Sequence, residues 1–110
     1  MASLADLQKL QGMVDRRRSA GDDPLLHLAL LTQELGDVGE EVALWRSRVL
    51  ELQRAGAHEE SARSQAYGER REKLGLELAD CLALLLRLAA GAGVNLEECY
   101  QLKLDKALKG

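Results

Sequence analysis

Residues 24–54 of the chain read PLLHLALLTQELGDVGEEVALWRSRVLELQR, and this stretch decides the fold. Its apolar residues recur three or four positions apart without a break, the period of an α-helix with one buried face. They are Leu28, Leu31, Leu35, Val38, Val42, Trp45, Val49 and Leu52. Pro24 directly after Asp23 is typical of a helix start. We therefore predict a long helix over 24–54, and an apolar seam of this length requires a long partner helix.

Three further helices are predicted around this one. The first covers about 3–18 and ends in a turn at Gly21. The last begins after Asn95, a typical capping residue, and runs to the C-terminus. Residues 55–68 lose the apolar pattern, which predicts a mobile loop. The third helix follows over 69–90 with a second seam made of Leu74, Leu78, Cys81, Leu85 and Leu88.

The composition agrees with a helical protein. Of the 110 residues, 46% are hydrophobic and only 3% are aromatic, with no Phe. A formal net charge of -3 is not the footprint of a nucleic-acid-binding protein, and the longest apolar run is too short to cross a bilayer. We predict an all-α, antiparallel helical bundle of about four helices, forming a single domain over 1–110. We expect it to be cytoplasmic and completed by oligomerisation, as a homodimer or a tetramer.

Two pairs of carboxylates border the seams. Glu34 and Asp37 are three residues apart on the second helix, and Glu77 and Asp80 are three apart on the third. Carboxylates beside a buried face lose solvation and repel one another, so a cation between the pairs would stabilise them. Mg²⁺ prefers such oxygen ligands. Acidic pairs at this spacing are also common on solvated helix faces, where basic residues pair with them.

Three segments resemble, in order, the motifs of the MazG-type nucleoside triphosphate pyrophosphohydrolases. Residues 30–41, LLTQELGDVGEE, are similar to the family pattern E-x-G-E-[LV]-x-E. Residues 75–89, GLELADCLALLLRLA, are similar to E-L-[GAS]-D-x-L-x-x-L-x-x-L-A. Residues 93–103, GVNLEECYQLK, resemble the short acidic helix that follows in the family.

The resemblance implies a hydrolase that cleaves the α–β phosphoanhydride bond of a (d)NTP and releases pyrophosphate, as a house-cleaning enzyme. It implies Mg²⁺, for which Mn²⁺ may substitute, as the cofactor. Lys103 matches the tail lysine of the family, a phosphate contact, and Glu34 or Glu41 is the expected general base. The expected metal ligands are Glu34, Asp37, Glu77 and Asp80.

Two further residues are candidates for substrate binding. Lys73 lies on the same predicted helix face as Glu77 and is either a phosphate contact or an ion-pair partner. Trp45 lies in line with Glu34 and either stacks on a base or packs in the seam. The chain departs from the family at Asp37, where Glu is usual, and at Ala107, where Asn is usual. The stretch between the first two motifs is also longer than is common.

Two other functions remain open at this point. One is a related enzyme, phosphoribosyl-ATP pyrophosphohydrolase, which shares the helical architecture and the acidic motifs. The other is a helical dimerisation module without catalytic activity, in which the acidic residues form a solvated face.

Overall fold

A computed structural model describes residues 1–17 and 23–110, and this part of the chain contains four helices and no strand. The helices are α1 (Leu4–Arg17), α2 (Pro24–Arg54), α3 (Glu59–Gly91) and α4 (Leu96–Lys109). The prediction of an all-α protein with four helices is confirmed. The predicted end of the first helix at Arg18 and the turn at Gly21 lie outside the described residues. None of the four helices has the length and apolarity needed to cross a membrane.

The starts of α2 and α4 are formed by the capping residues that the sequence predicts. Asp23 Oδ1 accepts a hydrogen bond of 3.0 Å from the backbone N–H of Leu25, and Pro24 occupies the first helical position. Asn95 Oδ1 accepts one of 3.3 Å from the backbone N–H of Glu98. Such caps satisfy N–H groups that have no partner within the helix, and they fix where each helix begins.

The start of α3 differs from the prediction. The segment 59–68 is helical, so the mobile loop predicted over 55–68 is wrong for all but its first four residues. The segment is rich in Ala, Glu, Arg and Gln, which are good helix formers. Ala62 and Ala66, one turn apart, have no exposed surface. The buried face is therefore made of small residues here, and a search for large apolar side chains misses it.

A short turn joins α2 to α3. Gly56 has a φ of 105°, in the left-handed region that favours glycine. Its N–H donates to the carbonyl of Gln53, and the N–H of Ala57 donates to the carbonyl of Leu52, each over 3.0 Å. This pair of hydrogen bonds ends the helix and leaves only residues 55–58 outside the two helices.

The described residues divide into two compact units, and α2 and α3 contribute to both. We call residues 31–81 the hairpin unit, and residues 1–30 with 82–110 the terminal unit. Within the hairpin unit, Glu41 of α2 contacts Arg70 of α3, and the later residue Trp45 contacts the earlier residue Tyr67. The two helices therefore run antiparallel in this unit, as predicted.

In the terminal unit, polar contacts hold α1 against the end of α3 and the start of α4. Arg87 Nη2 donates to Asp15 Oδ1 over 2.7 Å, and Asp15 is buried. Burial opposes the ionisation of Asp15, but its hydrogen bonds outweigh that effect and lower its pKa. Glu97 Oε1 accepts a hydrogen bond of 3.0 Å from the N–H of Leu4. This contact supplies a carboxylate to the first turn of α1, where negative charge is favourable.

The inner face of α2 in the hairpin unit is only partly the predicted seam, in which these residues are buried or partly buried as expected: Leu31, Val38, Trp45, Val49 and Leu52. Leu35 and Leu78, both placed in seams by the sequence, are 54% and 50% exposed. Glu34 and Glu41 instead lie among the buried and partly buried residues. The apolar pattern alone does not predict these charged residues, which recur every second turn on the inner face. Besides Leu35 and Leu78, three further seam predictions are wrong, since these side chains are also exposed: Leu28, Val42 and Leu85.

The turn at residue 56 gives a test of this description. We expect Gly56→Ala to destabilise the protein by about 1–2 kcal/mol, because a Cβ is unfavourable at this positive φ. Urea unfolding followed by circular dichroism measures the change. The matched control is Gly68→Ala, inside α3 with open space around the added Cβ. It should stabilise by about 0.5–1 kcal/mol, because Ala is the better helix former. Equal stability of Gly56→Ala and the wild type would contradict the turn.

Candidate functional site

Charged residues form three successive layers along the hairpin unit. On α2 they are Glu34, Glu41 and Arg48, spaced seven residues apart and therefore on one face of the helix. We name them the acidic layer, the Glu41 layer and the Arg48 layer. In the Arg48 layer, Arg48 Nε donates to Glu69 Oε2 over 2.9 Å, which is an ordinary ion pair at the surface. The first two layers carry the predicted site residues.

The acidic layer contains the four carboxylates that the sequence singles out. Glu34, Asp37 and Glu77 are partly buried, whereas Asp80 is exposed. Burial, followed by the negative charges of Asp80, Asp37 and Glu77, raises the pKa of Glu34 above its ordinary value. The structure therefore brings residues from both helices close enough for their charges to interact.

The acidic layer has an excess of negative charge and one unsatisfied oxygen. Glu77 Oε2 is buried and has no hydrogen-bond partner among the described residues. A buried carboxylate oxygen without a partner is unfavourable, and a cation would stabilise it. The carboxylates as placed do not form a group of three or more that could hold a metal ion, and no other such group of His, Cys, Asp or Glu occurs within 1–17 and 23–110. The donor chemistry, however, is all oxygen and suits a hard divalent cation.

Cys81 lies next to Asp80 and is buried. Burial, followed by the negative charges of Glu34 and Asp80, raises the pKa of the Cys81 thiol. A thiol that stays protonated is a poor nucleophile and a poor metal ligand. The layer thus offers carboxylate oxygens and no thiolate, which separates it from sites for soft metals.

The Glu41 layer is different in character, because its carboxylate is surrounded by cations. Glu41 is only 2% exposed. Arg70 Nη1 donates to Glu41 Oε1 over 3.1 Å, and Lys73 Nζ lies 3.7 Å from Glu41 Oε2. Lys73 was among the residues predicted from the sequence, whereas Arg70 was not. The signal was present, because Arg70 precedes Glu77 by seven residues and so lies on the same face of α3.

Trp45 packs within the hairpin unit. Its ring centroid lies 5.9 Å from that of Tyr67, with an angle of 54° between the planes. The guanidinium carbon of Arg71 lies 5.9 Å from the centroid of Tyr67. Trp45 Nε1 is buried and has no hydrogen-bond partner among the described residues. Of the two roles expected for Trp45, packing is the one that these contacts describe. Tyr67 was missed because its segment was predicted to be a loop.

Lys103 belongs to the terminal unit. It is exposed on α4, where it lines a shallow pocket together with Leu96, Tyr100 and Leu104. Ala107 lies one turn further along the same helix. The carboxylates, Lys73 and Trp45 all belong to the hairpin unit.

No family model matches the chain, and no curated protein and no solved structure matches it. The similarity to the MazG-type enzymes therefore stays a prediction that depends on the three sequence motifs. The structure contributes the layered hairpin unit, in which residues of the first two motifs lie on facing helices.

The charge excess of the acidic layer gives a test that needs no substrate. We expect Glu34→Gln to raise the melting temperature at neutral pH without divalent cations. The pKa of Glu34 is raised in the folded protein, so ionisation of Glu34 opposes folding. The wild type therefore loses stability as the pH rises through that pKa, whereas the variant has no charge to acquire there. Well below the ordinary range of a glutamate, Glu34 is protonated with or without folding, so the variant and the wild type should melt alike.

The matched control for this measurement is Glu40→Gln, an exposed glutamate on the same helix. It removes the same charge from the protein but lies outside the acidic layer. A Glu34→Gln variant that melts no higher than Glu40→Gln at neutral pH would contradict the description of the acidic layer.

Proposed function

We propose that the protein is a magnesium-dependent nucleotide pyrophosphohydrolase that converts a (d)NTP to a (d)NMP and pyrophosphate, as a cytoplasmic house-cleaning enzyme. The observation that carries this proposal is the acidic layer, in which carboxylates of facing helices raise the pKa of Glu34 and leave Glu77 Oε2 unsatisfied. The type of reaction is inferred from the motif resemblance, and the acidic layer is the proposed location of the reaction.

In this proposal the four carboxylates of the acidic layer hold Mg²⁺, with Mn²⁺ as a substitute. When bound, the metal neutralises phosphate charge and lowers the pKa of a bound water. The protein contributes oxygen ligands from two helices, which are joined into a hairpin by a short turn. The ligands are Glu34, Asp37, Glu77 and Asp80. Asp37 is one methylene shorter than the usual Glu, and this difference changes the position at which the side chain can hold the ion.

Glu34 is the better of the two candidates for the general base. A base works best when its pKa lies near the working pH, and the pKa of Glu34 is raised in that direction. Glu41 is buried, and its oxygens face Arg70 and Lys73. A buried carboxylate that contacts two cations is less accessible to an attacking water. We therefore assign the proton of the attacking water to the Glu34 carboxylate oxygen that does not hold the ion.

Three residues are proposed to bind the substrate. Lys73 has an exposed ammonium group one turn before Glu77 and is suited to a phosphate. Trp45 follows Asp37 by eight residues, or about 12 Å along the helix at 1.5 Å per residue, and is proposed to contact the base of the nucleotide. Lys103 of α4 is proposed as a second phosphate contact from its match to the family tail. Ala107 stands where the family usually has Asn, and we expect this difference to affect which nucleotide the protein binds.

The active form is proposed to be a homodimer or a tetramer. Leu35, Val42 and Leu78 are large apolar residues of the hairpin unit that remain exposed in the single chain. Covering apolar surface of this kind is the main driving force of association. The same observation favours the second candidate function, a helical dimerisation module without catalysis. Nucleotide hydrolysis decides between the two.

Pyrophosphate release is the direct test. The protein is incubated with Mg²⁺ and a panel of nucleotides, and the released pyrophosphate is measured. We expect release from at least one (d)NTP. We expect Glu77→Ala and Asp80→Ala to lower the rate roughly a hundredfold or more, because each removes a ligand of the metal that stabilises the developing charge. Glu72→Ala, at an exposed glutamate of α3, is the control and should keep the activity.

The same experiment separates the alternatives. Release from phosphoribosyl-ATP alone would select the related enzyme instead. No release from any nucleotide, with a melting temperature that neither Mg²⁺ nor Mn²⁺ changes, would reject a metal-dependent enzyme and leave the dimerisation module.

A further inference from the structure

The Glu41 layer contains one buried anion and two cations, so it carries a net positive charge. The carboxylate belongs to Glu41, whose side chain is 3% exposed. The side chain of Arg70 is 34% exposed and that of Lys73 is 65% exposed. A buried carboxylate requires one well-placed cation, and a second cation exceeds that requirement. Lys73 is thus the cation that is not required to compensate the charge of Glu41.

The two contacts of Glu41 differ in kind. Arg70 Nη1 makes a hydrogen bond of 3.1 Å with Glu41 Oε1. Lys73 Nζ, at 3.7 Å from Glu41 Oε2, is near enough for charge attraction but too far for a hydrogen bond. Arg70 therefore holds the carboxylate directly. The ammonium of Lys73 lies at the end of a flexible and mostly exposed stem, and it can turn away without leaving Glu41 uncompensated.

The Glu41 layer lies next to the acidic layer, so Lys73 is close to the proposed phosphate site. Glu41 follows Asp37 by four residues on α2, and Lys73 precedes Glu77 by four residues on α3. Residues four apart are neighbours on a helix face, so the layer borders the acidic layer on both helices. A polyphosphate held by cations in the acidic layer would bring its remaining negative charge next to Lys73.

We propose that Lys73 is held by Glu41 in the free protein and is released to bind phosphate because Arg70 alone can neutralise Glu41. In the free protein Lys73 lies beside Glu41. When the diphosphate part of a nucleotide, or pyrophosphate itself, binds at the acidic layer, the ammonium turns to a phosphate oxygen and Arg70 alone neutralises Glu41. Glu41 and Arg70 act only through Lys73, because Glu41 attracts its ammonium in the free protein and Arg70 allows the ammonium to leave without exposing an uncompensated carboxylate. This inference rests on the proposed function, which supplies the phosphate ligand.

The first test measures the binding of inorganic pyrophosphate in the presence of Mg²⁺ by titration calorimetry. We expect Lys73→Met to weaken binding roughly tenfold or more, since it removes the charge and keeps the length of the side chain. The matched control is Arg63→Met on the same helix, where Arg63 pairs with Glu59 at the surface. It should bind as the wild type does. Equal affinities for Lys73→Met and the wild type would overturn the proposal.

The second test separates the proposed role of Arg70, which is to allow Lys73 to leave Glu41, from a purely structural role. Arg70→Gln leaves Lys73 as the cation nearest to a buried carboxylate, so Lys73 is retained there and pyrophosphate binding should weaken although Lys73 is present. The double variant Glu41→Gln/Arg70→Gln removes that carboxylate charge and should regain an affinity within about threefold of the wild type. A structural role of Arg70 alone predicts no recovery in the double variant, and that result would overturn the proposal.

Glu41→Gln as a single variant keeps the test decisive if Arg70→Gln does not fold. It frees Lys73 while keeping the side-chain volume, so pyrophosphate should bind at least as tightly as to the wild type. Binding as weak as that of Lys73→Met would overturn the proposal. Circular dichroism of each variant checks that it is folded.

Mn²⁺ binding, followed by electron paramagnetic resonance, distinguishes failure of this proposal from failure of the proposed function. A wild type that binds Mn²⁺ and hydrolyses a nucleotide, while Lys73→Met binds pyrophosphate normally, overturns the role of Lys73 and leaves the enzyme intact. A wild type that binds neither Mn²⁺ nor pyrophosphate overturns both.

Discussion

Placing charge on the inner face of α2 is the constraint on which the hairpin unit depends. Glu34, Glu41 and Arg48 recur every second turn on a face that packs toward α3. Charges removed from water must be compensated, so each layer requires a suitable partner from α3. Arg70 meets Glu41 and Glu69 meets Arg48. Sliding one helix along the other would separate both pairs, so the charges select one register.

The acidic layer differs from the other two layers of the hairpin unit in how its charges are compensated. Two layers compensate their charges within the protein, and the third places carboxylates of both helices together. The same pair of helices that places two cations beside Glu41 leaves Glu77 Oε2 without a hydrogen-bond partner among the described residues. The difference between neighbouring layers therefore depends on which residue type α3 presents, because the backbone arrangement is the same helical pair throughout.

Sequence reasoning was strongest where local chemistry decides the structure. The starts of α2 and α4 depend on Asp23 and Asn95, whose side chains bond to nearby backbone N–H groups. It was weakest where the partner helix decides. The phase of the inner face could not be predicted from apolar residues alone, because charged residues also recur on that face. Ala62 and Ala66 gave no signal, because small side chains identify a buried face only when the neighbouring helix is known.

The candidate site divides in the same way. The four carboxylates were found from their spacing and from the motifs, and the structure places them on facing helices of one unit. Arg70 and Tyr67 were missed, since their importance arises from contacts across the hairpin, with Glu41 and with Trp45. Such contacts link residues far apart in the chain, which no local pattern reveals.

The tight turn at Gly56 also bears on how the hairpin unit assembles. The Arg48 layer joins residues 21 positions apart and the Glu41 layer joins residues 29 apart, whereas the acidic layer closes the longest stretch of chain. The entropy lost on closing a loop grows with its length, so pairing is favoured first near the turn and then outward. Within the hairpin unit the carboxylates lie farthest from the turn, so we expect their approach to be the last step in its assembly. Their placement then depends on the ion pairs nearer the turn, which form over shorter stretches of chain.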